Sequence, residues 1–235
     1  MTGFPDTSDR RGLAGAALSA AGAWLLDPAD PGPVTPVPAA VPRPVIAVFG
    51  LAPGCGATMV ARALAAELAA RDPAGAAAVS CASPGSGVAI ATHAATRLAR
   101  SLADVPRAAT RALGRLCLVS GADALALADC ARHFAPLVLD AGSTALGGRP
   151  AALADAMILV APAAAEPALA KVAVSCLARV GPEPIVVLNG PDRGRWHGRA
   201  ALSLPRSRMG AQLALGGREP RGELGRAVTR LADLV

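Results

Sequence analysis

Three features of this sequence have residue types and spacing that could support chemistry. An apolar stretch of β type, Val45–Phe49, runs into the glycine- and proline-containing loop Gly50–Gly56 and then into a helix-forming stretch near Thr58. The main-chain N–H groups of such a loop, together with the positive end of the helix dipole, can cradle an anion such as phosphate. The other two features are Asp140 and Asn189, each of which follows an apolar stretch later in the chain.

The loop departs from the usual phosphate-binding pattern at a charged position. That pattern ends in Gly-Lys-Ser/Thr, whereas the matching tripeptide here is Gly56-Ala57-Thr58. Pro53 also lacks a main-chain N–H group, which removes one donor from the cradle. The sequence therefore predicts contact with phosphate through the main chain and the Thr58 hydroxyl, without a fixed positive charge in the loop.

The loop resembles that of the MinD/ParA family of P-loop ATPases (the SIMIBI class), in which a sequence like K-G-G-V-G-K-T joins a strand to a helix. The matching segment, Ala52–Thr58, keeps two glycines and the threonine, and both family lysines fall on alanines, Ala52 and Ala57. The resemblance extends from about Pro44 to the C-terminus. It implies ATP or ADP and Mg²⁺ as ligands. The loop residues that it assigns to the nucleotide are Gly54, Cys55, Gly56, Ala57 and Thr58.

The same resemblance assigns roles to residues outside the loop. Asp140 takes the acidic Walker-B position, which holds the Mg²⁺ shell together with Thr58. Asn189 and Pro205 match positions beside the adenine base. Simpler roles remain open, with Asp140 capping a turn and Asn189 starting a turn with Gly190.

A second residue of the family's hydrolytic machinery is missing. Members carry an aspartate at the end of the second strand, where it positions the attacking water, but the chain reads Val79-Ser80-Cys81-Ala82-Ser83 at that place. We therefore assign no catalytic residue and expect weak or no ATP hydrolysis. Cys55 and Cys81 are expected near the predicted nucleotide site, either as a redox-sensing pair or as inert buried thiols.

Apolar strands alternate with Ala- and Leu-rich helices along the chain, which predicts an α/β fold: a Rossmann-like three-layer sandwich with a mostly parallel sheet of about seven strands. The predicted strands are Val45–Phe49, Ala76–Cys81, Leu116–Val119, Pro136–Leu139, Ala156–Val160, Pro184–Leu188 and Arg199–Leu204. The predicted helices are Thr58–Ala70, Val88–Leu102, Arg107–Leu113, Ala122–Phe134, Glu166–Val180, Ser207–Leu215 and Glu219–Leu234. Because ligands bind at the carboxyl ends of parallel strands, we expect the loop, Asp140 and Asn189 to meet at one edge.

The sequence divides into an apolar segment at 1–26, a proline-rich linker at 27–44 and a P-loop domain at 45–235. Within the first segment, Gly12–Leu26 could pack on the domain, dock a protein partner or lie in a membrane interface. No run reaches the ~20 apolar residues of a transmembrane helix, and the N-terminus lacks the order of a signal peptide. We expect a cytoplasmic protein, either free or peripheral at the inner face of the membrane.

The charge of the chain limits the kinds of partner it could bind, and its cysteine content indicates the redox compartment. The net charge is +6, Lys171 is the only lysine, and arginines are frequent near the end. These arginines form either a solvated face or a surface for DNA or anionic lipid. Only 2% of residues are aromatic, so we do not expect base stacking on single strands. The five cysteines form no C-x-x-C pair, which is typical of a reducing compartment. The C-terminal arginines are Arg193, Arg195, Arg199, Arg206, Arg208, Arg218, Arg221, Arg226 and Arg230.

Two functions remain open. The first is a non-catalytic scaffold or localisation factor that acts as a homodimer, similar to the TadZ/CpaE relatives that position pilus or secretion machinery at the cell pole. The second is a slow ATP-dependent switch, similar to ParA, that binds DNA non-specifically through the C-terminal arginines.

Overall fold

The computed structural model describes residues 43–72, 75–81, 109–113, 116–120, 135–143, 148–196 and 200–235, and the statements below concern these residues. The strands are β1 Val45–Gly50, β2 Ala76–Ser80, β3 Ala109–Leu113, β4 Leu116–Ser120, β5 Leu137–Gly142, β6 Ala156–Pro162, β7 Ile185–Asn189 and β8 Leu202–Leu204. The helices are α1 Ala57–Arg71, α2 Arg149–Leu153, α3 Pro167–Leu177, α4 Arg208–Leu215 and α5 Gly222–Ala232. None of these helices is long and apolar enough to cross a bilayer.

The strands form one sheet in the order β3-β4-β2-β5-β1-β6-β7-β8. All neighbouring strands are parallel except β3 and β4. Buried apolar residues cover both faces of the sheet, as expected when helices pack on either side. The expected Rossmann-like α/β fold is confirmed, with one more strand than predicted.

The additional strand corrects one prediction. Arg107–Leu113 was expected to be helical, but Ala109–Leu113 is a strand that pairs antiparallel with β4, from Ala109 opposite Ser120 to Leu113 opposite Leu116. Only two residues separate the two strands in sequence, so β4 lies next to β3 and supplies its hydrogen-bond partners. A helix of so few residues is marginal without such partners.

Three other predicted segments lie outside the described residues. They are Gly12–Leu26, Val88–Leu102 and Ala122–Phe134.

Helix α1 is packed on most of its circumference. Ten of its fifteen residues are buried, and six of those ten are alanines, whose small side chains allow close approach. Its outer side is tied to the C-terminal helices by two arginines. Arg62 Nη1 donates to the Leu215 carbonyl oxygen at 2.6 Å, and Arg71 Nη1 lies 2.7 Å from Asp233 Oδ1. The sheet on one side and α4 and α5 on the other therefore fix α1, and with it the loop that precedes it.

The packing of α1 predicts unequal effects of one substitution at two leucines. Leu64→Ala, at a fully buried position in α1, should lower the free energy of unfolding by about 2–5 kcal/mol because it opens a cavity. Leu169→Ala is the matched control, since Leu169 is 60% exposed and its truncation should change stability by only about 0.5 kcal/mol. Urea unfolding followed by circular dichroism measures both. Equal effects would contradict the burial of α1.

Candidate functional site

The loop between β1 and α1 takes a shape that only glycine adopts easily. Gly54 and Gly56 have φ angles of +74° and +96°, in the left-handed region. The Cys55 N–H donates to the Ala52 carbonyl oxygen at 3.2 Å and closes a turn. Gly56 caps α1 without any side-chain hydrogen bond, and the first N–H groups of a helix have no partner within it. The loop thus presents main-chain donors at a helix N-terminus, as the sequence predicted.

The alanine in place of the loop lysine is buried. Ala57 is 6% exposed and Cys55 is 4% exposed. A Cβ atom added to Gly50 would lie 2.7 Å from Cys55 Sγ and 3.3 Å from Ala57 Cβ, so these side chains pack against the end of β1. The inner side of the loop therefore packs on the end of β1 through the small apolar side chains of Cys55 and Ala57. Arg62, the first cationic residue of α1, donates to Leu215 instead.

Asn189 is bound to the loop. Its Nδ2 donates to the Cys55 carbonyl oxygen at 2.8 Å, which joins the end of β7 to the loop across 134 residues of sequence. A Cβ atom on Gly56 would collide with the same Nδ2. The resemblance puts Asn189 beside an adenine base, and in this structure its amide N–H group holds the loop. Contact with a nucleotide remains a prediction for this residue.

Thr58, in the first turn of α1, and Asp140, in the second half of β5, are in contact. Asp140 is 5% exposed and is the one buried charged residue in the described part of the chain. Its carboxylate accepts hydrogen bonds from the Thr58 side chain and from the Gly142 N–H group. Burial raises the pKa of Asp140, whereas these two hydrogen bonds and the Arg62 charge lower it. A register shift in the β1–β5 pairing falls here, with Val48 opposite Asp140 and Phe49 opposite Gly142.

These two side chains fit a Mg²⁺ ion through a hydroxyl and a carboxylate, the hard oxygen donors that this ion prefers. Within the described ranges, no group of three or more histidine, cysteine or acidic side chains is arranged to hold a metal by itself. A bound Mg²⁺ would therefore depend on water and on phosphate oxygens for its other ligands. That dependence is usual for this ion.

Cys81 lies beside Asp140 and is a poor nucleophile. Its N–H group donates to the Asp140 carbonyl oxygen at 2.9 Å. Burial, and secondly the Asp140 charge, raise the pKa of the Cys81 thiol to about 12. Cys55, Cys81 and Cys176 all carry free thiols. A thiol that stays protonated reacts slowly, which favours an inert role for Cys81 over redox sensing.

Pro205 lies on the far side of Asn189 from the loop residues discussed so far. It lines a cavity of about 680 Å³ together with Pro191, Arg193, Arg195 and Arg206. The sequence showed these arginines only as part of a basic C-terminal region. The short spacing of Arg193 and Arg195 after Asn189-Gly190 was the available signal that they belong to the same sheet edge.

The parallel sheet, the glycine loop between β1 and α1 and the acidic residue in β5 define an α/β fold of the P-loop type. Among solved structures, the chain is similar to a ParA family ATPase from Chlorobium tepidum TLS, with a TM-score of 0.61 and 17% identity over 82% of this chain and 100% of that one. It is also similar to a chain of the MinC:MinD cell division protein complex from Aquifex aeolicus, with a TM-score of 0.56 and 13% identity over 82% and 95% of the two chains.

These similarities confirm the expected MinD/ParA-like fold, and identities this low establish the fold alone. The sequence matches no protein-family model. It also matches no curated protein significantly.

The two left-handed glycines of the loop predict a difference in stability. A Cβ atom added at Gly54 would have no atom within 4 Å. Gly54→Ala should therefore lower the free energy of unfolding by only ~1–2 kcal/mol, the cost of holding alanine in the left-handed region. Gly56→Ala should lose more, because its methyl group also collides with Asn189. Thermal unfolding compares the two variants. In an Asn189→Ala background the excess cost of Gly56→Ala should shrink, and an unchanged excess would rule out the collision as its cause.

The raised pKa of Cys81 predicts slow alkylation. At about pH 9, near the usual thiol pKa, Cys81 should be ionised to only about one part in a thousand, because its pKa is about 12. Iodoacetamide should therefore label the exposed Cys176 well before Cys81 in the folded protein. Peptide mass spectrometry measures the two rates, and unfolding in guanidinium chloride should remove the difference. Comparable rates in the folded state would contradict the raised pKa of Cys81.

Proposed function

We propose that this protein is a degenerate relative of the MinD/ParA ATPases, with weak or no ATP hydrolysis, that acts as a dimerising scaffold or localisation factor. The observation that carries this proposal is the buried Ala57, which packs near Gly50 and Cys55 where the family has a phosphate-binding lysine. The proposed setting is the cytoplasm or the inner face of the membrane. By resemblance, the proposed role is positioning of pilus or secretion machinery at the cell pole.

The argument against efficient hydrolysis is electrostatic. Phosphoryl transfer depends on positioning and on fixed cations that neutralise the charge developing on the γ-phosphate. Ala52 and Ala57 offer no charge, and Arg62 donates to the carbonyl oxygen of Leu215. Loss of one preorganised donor typically costs ~3 kcal/mol, or a factor of ~100 in rate. With both loop lysines absent, turnover should be very slow.

Nucleotide binding without turnover is compatible with what the loop keeps. The N–H groups at the start of α1 would contact phosphate, and Thr58 and Asp140 would hold Mg²⁺, which supplies charge neutralisation when bound. A nucleotide held in this way would serve as a structural ligand. In the MinC:MinD complex, a chain of similar fold assembles with another protein, which supports a scaffold role.

A second candidate is a slow ATP-dependent switch that binds DNA through its arginines. The observation that favours it is the pair Arg226 and Arg230, which lie one turn apart on the exposed side of α5 and line a groove beside β8. Asp192 and Glu223 line the same groove and weaken its attraction for a phosphate backbone. We therefore rank this candidate second.

Calorimetric titration with ATP and Mg²⁺ tests the first candidate, with phosphate release measured in parallel. The wild-type protein should bind weakly or not at all and release no phosphate above background. Ala57→Lys should bind at least tenfold more tightly, because it restores one charge-assisted contact to phosphate. Ala57→Met is the matched control, since it adds similar length without charge and should gain nothing.

The oligomeric state separates the two candidates. A scaffold should form dimers in sedimentation experiments without nucleotide, whereas a ParA-like switch should retain DNA only with ATP and lose it as salt rises. Phosphate release by the wild-type protein well above background would overturn the degenerate assignment. If neither the wild-type protein nor a correctly folded Ala57→Lys variant binds ATP, the loop is not a phosphate site.

A further inference from the structure

The cavity near Pro205 has several arginines at the edge of the sheet where β7 and β8 end. It lies among the turn Ala163–Ala164, the segment after β7 and the segment after β8, and its volume of about 680 Å³ is within the range of small-molecule sites. Three guanidinium groups line it, from Arg193, Arg195 and Arg206. We propose that this cavity binds a small phosphorylated ligand, and that these three arginines hold its phosphate group.

The segment that carries two of the arginines is held in place. Asp192 Oδ1 accepts hydrogen bonds from the N–H groups of Gly194 at 3.0 Å and Trp196 at 3.4 Å. The Trp196 side chain is 1% exposed, and its Nε1 donates to the Ala163 carbonyl oxygen at 3.2 Å. This buried indole anchors the segment to the turn after β6. Arg193 and Arg195 are therefore presented from an ordered loop.

Two of the guanidinium groups have defined positions. Arg195 Nη1 donates to the Ala164 carbonyl oxygen at 3.0 Å, which leaves its other N–H groups available. Arg206 packs over Gly190, whose φ is +120°, and a Cβ atom added there would lie 3.3 Å from Arg206 Nε. Glycine at position 190 thus lets the guanidinium approach the main chain closely.

The arginines of the cavity are not paired with carboxylates of the described residues. No carboxylate of the described residues forms an ion pair with Arg193, Arg195 or Arg206. The nearest acidic residue in sequence, Asp192, accepts main-chain hydrogen bonds. Guanidinium groups bind phosphate with paired N–H donors, and three of them around one cavity favour an anion over an uncharged ring.

The size of the charged region favours a small ligand over nucleic acid. The neighbouring groove shares Pro191 and Pro205 with the cavity, but there Asp192 and Glu223 lie among Arg226 and Arg230. A duplex backbone needs a continuous basic surface that spans several phosphates. The carboxylates interrupt that surface at the rim of the cavity.

Calorimetry at constant ionic strength, with EDTA present, tests the site with three probes. Pyrophosphate and AMP carry the phosphate group, and adenosine is the matched probe that lacks it. Pyrophosphate and AMP should bind, with AMP at least tenfold tighter than adenosine. Arg193→Gln and Arg206→Gln should each weaken AMP binding about tenfold or more, because each removes a charge-assisted contact. Arg179→Gln, at an exposed position beyond the end of α3, is the control and should change nothing.

Several results would overturn the site. One is equal affinity for AMP and adenosine, which would indicate that an arginine stacks on the base. Another is an equal effect of Arg179→Gln, which would indicate only general charge. A third is tighter binding of a short duplex DNA that Arg226→Gln and Arg230→Gln both weaken, which would indicate a nucleic-acid surface. Failure of pyrophosphate to bind would also exclude it.

Pro205, which the resemblance places beside adenine, also lines this cavity, so the AMP result rests in part on the proposed nucleotide site. Pyrophosphate has no base, and its binding should be weakened by Arg193→Gln and Arg206→Gln and not by Thr58→Ala in the loop site. The reverse pattern would assign the binding to the loop.

Discussion

The burial of β1 and α1 determines where the phosphate-type loop lies and what shape it can take. All six residues of β1 are buried at the centre of the sheet, and α1 is enclosed between the sheet and the C-terminal helices. The chain must connect these two fixed elements over a few residues. It does so through glycines at 54 and 56 with left-handed φ angles. Asn189, at the end of β7, donates a hydrogen bond to the Cys55 carbonyl oxygen in the loop. Contacts within the protein therefore hold the loop in this shape.

The loop has this shape without a charged side chain at position 52 or 57. Lysine in such a loop contributes to ligand binding and not to the packing of α1, so alanine at position 57 costs the fold little. The small methyl group instead packs with Cys55 near Gly50. Positive charge on this edge of the sheet is found at Arg193, Arg195 and Arg206, around a different cavity. In the described residues, the cationic side chains at this edge thus lie near the ends of β7 and β8 and not in the loop.

Asp140 is the contrasting case, because it is a buried carboxyl group among apolar neighbours in β5. A carboxylate at 5% exposure is unfavourable unless hydrogen bonds compensate it. Thr58 and Gly142 supply those bonds, and burial still raises the pKa of the group. A leucine or valine would suit a buried strand better. A buried carboxylate beside a hydroxyl at the end of a glycine loop is the arrangement on which the proposed Mg²⁺ site rests.

The sequence by itself determined the features that depend on near neighbours along the chain. Apolar runs, helix periodicity, and glycines in a strand–loop–helix order predicted the α/β fold, the loop and the edge near which Asp140 and Asn189 lie, although Asp140 is inside β5 and does not follow it as predicted. The tertiary structure alone decided the features that depend on distant partners. Ala109–Leu113 became a strand because β4 supplied its hydrogen bonds, Asn189 reached the Cys55 carbonyl oxygen, and three arginines came to line one cavity. The physical reason is that hydrogen bonds and electrostatic fields act through space, whereas periodicity and turn preference act along the chain.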